Sequence, residues 1–242
     1  VNNTEEFLAR LMNFLNEKFK NKLVLKGGML LRLLNSPRQT QDLDYVWLRE
    51  KRRNLFADDI KNALIRMPNL NMVDTAVNSR GIFFTVQDTQ TKASAKIEIS
   101  VVKNLKSPQS LMNDRLVDAF SLPVHVIAVM DLSEALSHKI AASLERDLMR
   151  DLYDLSILEP MTTFDVKVLE ERFSELEIDR NKPKKISFQE ASRMLRKRLE
   201  NMSEKRIKEE LGASLPKENL VGLDLIIRAS AGRLIQRLEV TT

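Results

Sequence analysis

Two adjacent glycines, followed after a short gap by two aspartates one residue apart, constrain this chain more than any other feature. Lys22–Leu25 reads as a short strand, Gly27-Gly28 as a turn, Met29–Leu34 as a helix that stops before Pro37, and Asp42–Leu48 as a second strand. Glycine at the turn lets backbone N–H groups approach a phosphate closely, and Lys26 adds positive charge beside it. A glycine pair alone is ordinary turn chemistry, so its meaning depends on the residues downstream of it.

Downstream lies Asp42-Leu43-Asp44. Side chains two apart on a strand share a face, so Asp42 and Asp44 project together while Leu43 and Tyr45 go to the opposite side. Their oxygens can then hold a magnesium ion, although an isolated pair of this kind is more often a solvated strand face. Ala95–Val101 adds weight, because Ile97, Ile99 and Val101 alternate with Lys96, Glu98 and Ser100, giving one buried and one polar face. Glu98 on a neighbouring strand would make three carboxylates in one place, which repel unless a cation compensates them. The competing reading pairs Glu98 with Lys96 or with solvent.

Around this segment the periodicity predicts an opening helix over Thr4–Phe19, a helix over Leu55–Met67, and strands at Met72–Val77, Ile82–Val86, Ala95–Val102 and Val124–Val129. Leu132–Leu158 reads as one long or broken helical stretch ending at Pro160. Beyond it strand signals vanish. Helices are expected from Thr163 to about Leu176, from a capping box at Ser187 and Glu190 to Leu199, over Ser203–Leu211, and from Pro216 to about Leu238. The expectation is an α+β fold, with a mixed sheet flanked by helices over residues 1–160 and a helical domain over 161–242.

If Leu132–Leu158 is continuous, Lys139, Ser143, Arg146, Asp147, Arg150 and Asp154 fall in one polar sector while the leucines face away. The stripe could equally be local ion pairing, Asp147 with Arg150 and Arg150 with Asp154.

Lys26-Gly27-Gly28 through Asp42-Leu43-Asp44-Tyr45, the Lys96-Ile-Glu98-Ile strand, and Lys139-Ile-Ala-Ala through Arg150-Asp151-Leu-Tyr-Asp154-Leu together resemble the AbiEii nucleotidyltransferase toxins of the DNA polymerase β-like nucleotidyltransferase superfamily. The resemblance spans about residues 20–160, with three motifs in the expected order. It implies a polymerase-β-like core followed by a C-terminal helical bundle, a nucleoside triphosphate substrate, two magnesium ions on Asp42, Asp44 and Glu98, and membership of a toxin–antitoxin or phage-defence pair with a cognate antitoxin. Some such enzymes transfer nucleotides to tRNA. It also maps a functional lysine and aspartate onto Lys139 and Asp151, with Lys26, Gly27, Gly28, Arg146 and Arg150 toward the nucleotide. One departure stands out: Met29 occupies a position that usually carries Ser or Thr, so a hydroxyl ligand for phosphate is missing. An alternative is a non-catalytic core that senses nucleotide and binds RNA or a partner.

Positive charge is concentrated locally. The net charge is +5, yet Arg180–Lys208 alone carries eleven Lys or Arg against three Glu. Lys184, Lys185, Arg193, Arg196 and Lys197 could follow an RNA backbone, or form a solvated face or a surface for an acidic antitoxin. Phe188 is the only aromatic there, so base-specific readout by this segment is not expected. Zero cysteines exclude disulfides, thiol nucleophiles and cysteine-held zinc, and fit a reducing cytoplasm. No membrane-spanning apolar run or signal-peptide pattern is visible, so a cytoplasmic protein is expected.

Overall fold

The computed structural model describes residues 3–174, 176–179 and 182–241. It is an α+β protein of two compact units, Val1–Asp131 and Leu132–Thr242.

The first unit opens with α1 (Asn3–Phe19), whose Phe7, Leu8, Leu11, Met12 and Leu15 form the buried stripe predicted by their spacing. β1 (Val24–Lys26), α2 (Gly27–Leu33) and β2 (Asp42–Leu48) come next, then α3 (Arg53–Leu64), β3 (Leu70–Val77), β4 (Ile82–Asp88), β5 (Ser94–Val102), β6 (Gln109–Met112), α4 (Asp114–Phe120) and β7 (Val126–Val129). The strands form one mixed sheet in the order β3-β4-β5-β2-β1-β7-β6. β2 runs parallel to β5 and β1 parallel to β7, the other pairings being antiparallel.

Strand alternation gives the sheet two unlike faces. Leu43, Tyr45, Trp47, Ile97, Ile99, Phe84 and Val86 are buried on one of them. α1 packs on β2 and β5 there, and Trp47 stacks on Phe56 of α3 with ring centroids 4.1 Å apart. Asp42, Asp44, Lys96, Glu98 and Ser100 alternate with those residues and therefore share the opposite, half-exposed face. Packing the apolar set is what aims the polar set.

β6 and α4 were not expected. β6 is four residues long and begins Gln109-Ser110, too short and polar for a strand signature. Tertiary bonds hold the segment instead: buried Asn113 donates from Nδ2 to Asn13 Oδ1 at 3.0 Å and to Pro123 O at 3.2 Å, while its Oδ1 accepts from His125 N at 2.7 Å.

The second unit contains α5 (Leu132–Glu145), α6 (Met149–Leu158), α7 (Val166–Ser174), β8 (Leu176–Asp179), β9 (Lys182–Lys184), α8 (Phe188–Glu200), α9 (Glu204–Leu211) and α10 (Leu223–Val240). The units divide at Asp131/Leu132, ahead of the boundary expected near 160, because α5 packs on α6, α7 and α8 while α6 packs on α9 and α10. The β8–β9 hairpin corrects the expectation of a strand-free C-terminal half. The capping box at Ser187 and Glu190 forms as the sequence predicts. Pro216 opens only a 3-10 turn, Lys217–Leu220. α10 starts after Gly222, which adopts a left-handed conformation (φ +67°). Among the described residues, no helix is long and apolar enough to cross a membrane.

Candidate active site

Antiparallel pairing of β1 with β2 sets Lys26 opposite Asp44, so the glycine turn begins where the aspartate strand begins. Gly27 adopts φ +69°, and a Cβ placed on it would lie 2.0 Å from Asp44 Oδ2. Both its left-handed backbone and its contact with the carboxylate therefore demand glycine. A Cβ on Gly28 would lie 2.7 Å from Thr40 Oγ1 and 3.5 Å from Arg38 Nη2. Met29 is fully buried and offers nothing to a ligand, but the Thr40 hydroxyl stands at the turn that Met29 leaves without one. Sequence reasoning passed over Arg38 and Thr40. Their signal was a cation and a hydroxyl at two-residue steps before Asp42 and Asp44, continuing the same alternation.

The parallel β2–β5 register places Asp42 beside Lys96 and Asp44 beside Glu98. Burial raises the proton affinity of Glu98, and the neighbouring Asp44 and Asp42 carboxylates raise it further against the pull of Lys26 and Lys96. Lys26 Nζ donates to Ser100 Oγ at 2.8 Å across this face. The carboxylates thus feel one another, as the sequence anticipated, yet they are not closed on one point. Among the described residues no group of three His, Cys, Asp or Glu side chains converges tightly enough to hold a metal ion. An all-oxygen donor set of this kind fits a hard divalent cation such as magnesium.

In the second unit the stretch Leu132–Leu158, left open between one long helix and a broken one, is broken. Leu148 is extended (φ −122°, ψ 131°) between α5 and α6. The break is satisfied from elsewhere in the unit: Met149 N donates to Glu210 Oε2 at 2.7 Å, and Asp147 pairs with Arg198 at 3.0 Å and Arg206 at 3.1 Å. The single polar sector therefore does not exist. Ser143 is buried and donates to Ile140 O at 2.7 Å, and Arg150 is exposed.

The break instead folds α6 so that Asp151 and Asp154, each 1% exposed, are buried. Lys139 Nζ pairs with Asp154, and Arg146 Nη2 donates to Asp151 Oδ1 at 2.8 Å. Asp151 Oδ2 is buried without a hydrogen-bond partner. Burial lifts the proton affinity of Asp151, opposed by Arg146 and Lys139 and reinforced by Asp154. Lys139, Arg146, Asp151 and Asp154 thus form one electrostatic cluster, of which Asp154 was not singled out as a site residue from the sequence.

Lys184, Lys185, Arg193, Arg196 and Lys197 are all exposed. Part of their charge is spent locally: Arg196 pairs with Glu239 at 2.7 Å, and Lys184 lies 3.9 Å from Glu190. Arg180 lies outside the described residues. Phe188 packs between Phe173 and Phe164, with centroids at 5.5 and 6.5 Å.

The family model described as Nucleotidyl transferase AbiEii toxin, Type IV TA system, matches residues 8–228. Among solved structures, the fold is similar to MenT4, a nucleotidyltransferase toxin from Mycobacterium tuberculosis, with a TM-score of 0.64, 18% identity, and coverage of 97% of this chain and 86% of the other. It is also similar to JHP933 from Helicobacter pylori, with a TM-score of 0.56, 18% identity, and coverage of 98% and 92%. At such identity these likenesses concern the fold. No curated protein matches.

Proposed function

Because this chain belongs to the AbiEii nucleotidyl transferase toxin family of type IV toxin–antitoxin systems, we propose that it transfers a nucleoside monophosphate from a nucleoside triphosphate to an RNA acceptor, with tRNA the first candidate. The observation that carries this reading is Asp44: its carboxylate lies over Gly27 and its backbone sits beside Glu98, so phosphate turn and acidic pair meet at one residue.

In the proposed reaction an acceptor hydroxyl oxygen bonds to the α-phosphorus as the bond to the bridging oxygen breaks, and pyrophosphate leaves with that electron pair. The Gly27-Gly28 backbone admits the triphosphate, while Lys26, Arg38 and the Thr40 hydroxyl offer positive charge and a hydrogen bond there. A divalent cation held by Asp42, Asp44 and Glu98, two ions in the fullest form, would supply charge neutralisation at the transferring phosphate. Lys139 is proposed to stabilise phosphate charge, with Arg146 and Arg150 as further cations. Asp151, 1% exposed and bonded to Arg146, is proposed as a positioning residue that holds that cation, and the hydroxyl proton passes to water. Thr40 beside Gly28 weakens the case that Met29 makes for a non-catalytic core.

Family membership implies a cognate antitoxin. A cytoplasmic location, a role in phage defence and RNA contact by Lys184, Lys185, Arg193, Arg196 and Lys197 belong to this proposal.

Incubation with magnesium, each α-labelled nucleoside triphosphate in turn and total tRNA is expected to label RNA, and Asp44→Asn to reduce labelling at least a hundredfold. Label on protein alone, or on nothing, would overturn the RNA acceptor.

A further inference from the structure

On the half-exposed face of the first unit's sheet, the strand order lays the site out in a row. The glycine turn stands at the β1 end, Asp44 on β2 and Glu98 on β5. The next residue in that row is Phe83 of β4, directly opposite Glu98 in the antiparallel register. Strands are about 4.8 Å apart, so Phe83 begins about 10 Å from the Asp44 backbone, within one nucleotide's reach.

Phe83 differs from its neighbour Phe84. Phe84 points into the core and is 1% exposed, whereas Phe83 lies on the carboxylate side and is partly open. Around it on that side are Ala76 of β3, Thr85 and Glu98, all small or polar. Its ring leans over Gly81, where an added Cβ would lie 3.6 Å from Phe83 Cζ. Among the described residues no other aromatic ring packs against it. A flat apolar surface is therefore left beside the acids.

In-line displacement fixes which substrate would meet that surface. The attacking and leaving oxygens lie on opposite sides of the phosphorus. With the triphosphate held at the glycine turn, the leaving group lies toward β1, and the attacking hydroxyl must come from the β5–β4 side. We propose that Phe83 is the platform on which the terminal base of a single-stranded RNA acceptor stacks, presenting that nucleotide's ribose hydroxyl beside Glu98. The platform rests on the reading of RNA as acceptor. Stacking tolerates any base, so this subsite orients the acceptor without selecting its sequence.

Phe83→Trp supplies a direct probe, because the chain's single tryptophan, Trp47, is buried in the core. Its emission is expected to be quenched saturably by a short single-stranded RNA and not by nucleoside triphosphate with magnesium. In the transfer assay, Phe83→Ala is expected to raise KM for the acceptor about tenfold, as loss of one stacked base would. KM for the triphosphate should stay within twofold, and Phe83→Tyr should restore the acceptor value. Circular dichroism and Tm establish that each variant folds. Quenching by the triphosphate rather than RNA, an unchanged acceptor KM, or a joint rise of both KM values would overturn the proposal. If wild type labels RNA and Phe83→Ala does so equally well, the platform falls and the transfer reading stands. RNA-dependent quenching of Phe83→Trp, with weaker RNA binding by Phe83→Ala but no labelling by wild type, would keep the platform and remove the transfer.

Discussion

Gly27 and Gly222 share a left-handed backbone but not a neighbourhood. A Cβ at Gly222 would meet nothing within 4 Å, whereas one at Gly27 would collide with Asp44. Gly222→Ala should therefore cost only the conformational term, roughly 1–2 kcal/mol. Gly27→Ala should cost that and also displace Asp44, lowering Tm further and abolishing label transfer. Equal Tm losses, or an active Gly27→Ala, would contradict the arrangement. Asp151 offers the opposite trade. Its folded-state pKa is raised above 3.8, chiefly by burial. A carboxyl of that kind contributes stability fully below its unfolded pKa and loses it as pH rises through the folded value. Asp151→Asn is therefore expected to have a higher Tm than wild type at pH 7, with the difference vanishing as pH falls below 3.8, and to lose transfer activity. A lower Tm at pH 7 would show that the ion pair with Arg146 outweighs burial. The shared face of Asp42, Asp44 and Glu98 was legible in the sequence from strand spacing, while Asp151 was marked only by the family motif. Arg38, Thr40 and Phe83 were passed over, and Asp154 was read only as part of a polar stripe, because their neighbours come from other strands or from a helix break whose position no local pattern fixes.

At the scale of elements, the helices of the second unit are joined by ion pairs of unequal depth. Glu159, at the C-terminal end of α6, is 2% exposed and meets both Arg233 and Arg237 of α10. Glu239 of α10 pairs with Arg196 of α8 at the surface. Removing one partner of a buried pair strands the other charge, while an exposed pair loses little. The double substitution Arg233→Ala/Arg237→Ala, which leaves the buried Glu159 carboxylate without those partners, should lower Tm several times more than Arg196→Ala, as thermal unfolding followed by circular dichroism would measure, and comparable shifts would refute the ranking. Long periodic elements such as α1, and strongly capped ones such as α8, were readable from sequence. The α5–α6 break was not resolved, since the groups that satisfy it, Glu210, Arg198 and Arg206, lie some fifty or more residues downstream. The short β6, β8 and β9 likewise take their strand character from their partners.

Across the whole molecule, a dense local run of positive charge, Arg180–Lys208, lies in the second unit, while Asp42, Asp44 and Glu98 belong to the first. Lys185 and Lys197 are exposed and, among the described residues, uncommitted to a local ion pair. If they contact RNA phosphates, the double substitution Lys185→Ala/Lys197→Ala should weaken RNA binding and reduce the slope of log K against log[salt] by about 1.4 for a single strand. An unchanged slope would assign this face to another partner. What the sequence by itself determined is the set of groups available and their local order. Alternation acts over a few residues, so it placed the two aspartates and the glutamate on strands, the glycines read as a turn open α2 instead, and the motifs placed the chain in its family. Only the tertiary structure decided which of those elements are neighbours. Hydrogen-bond register set Glu98 between Asp44 and Phe83, close approach of backbone put Asp44 over Gly27, and burial gave Asp151 its altered proton affinity. Each of these depends on residues far apart in the chain, and no local pattern encodes them.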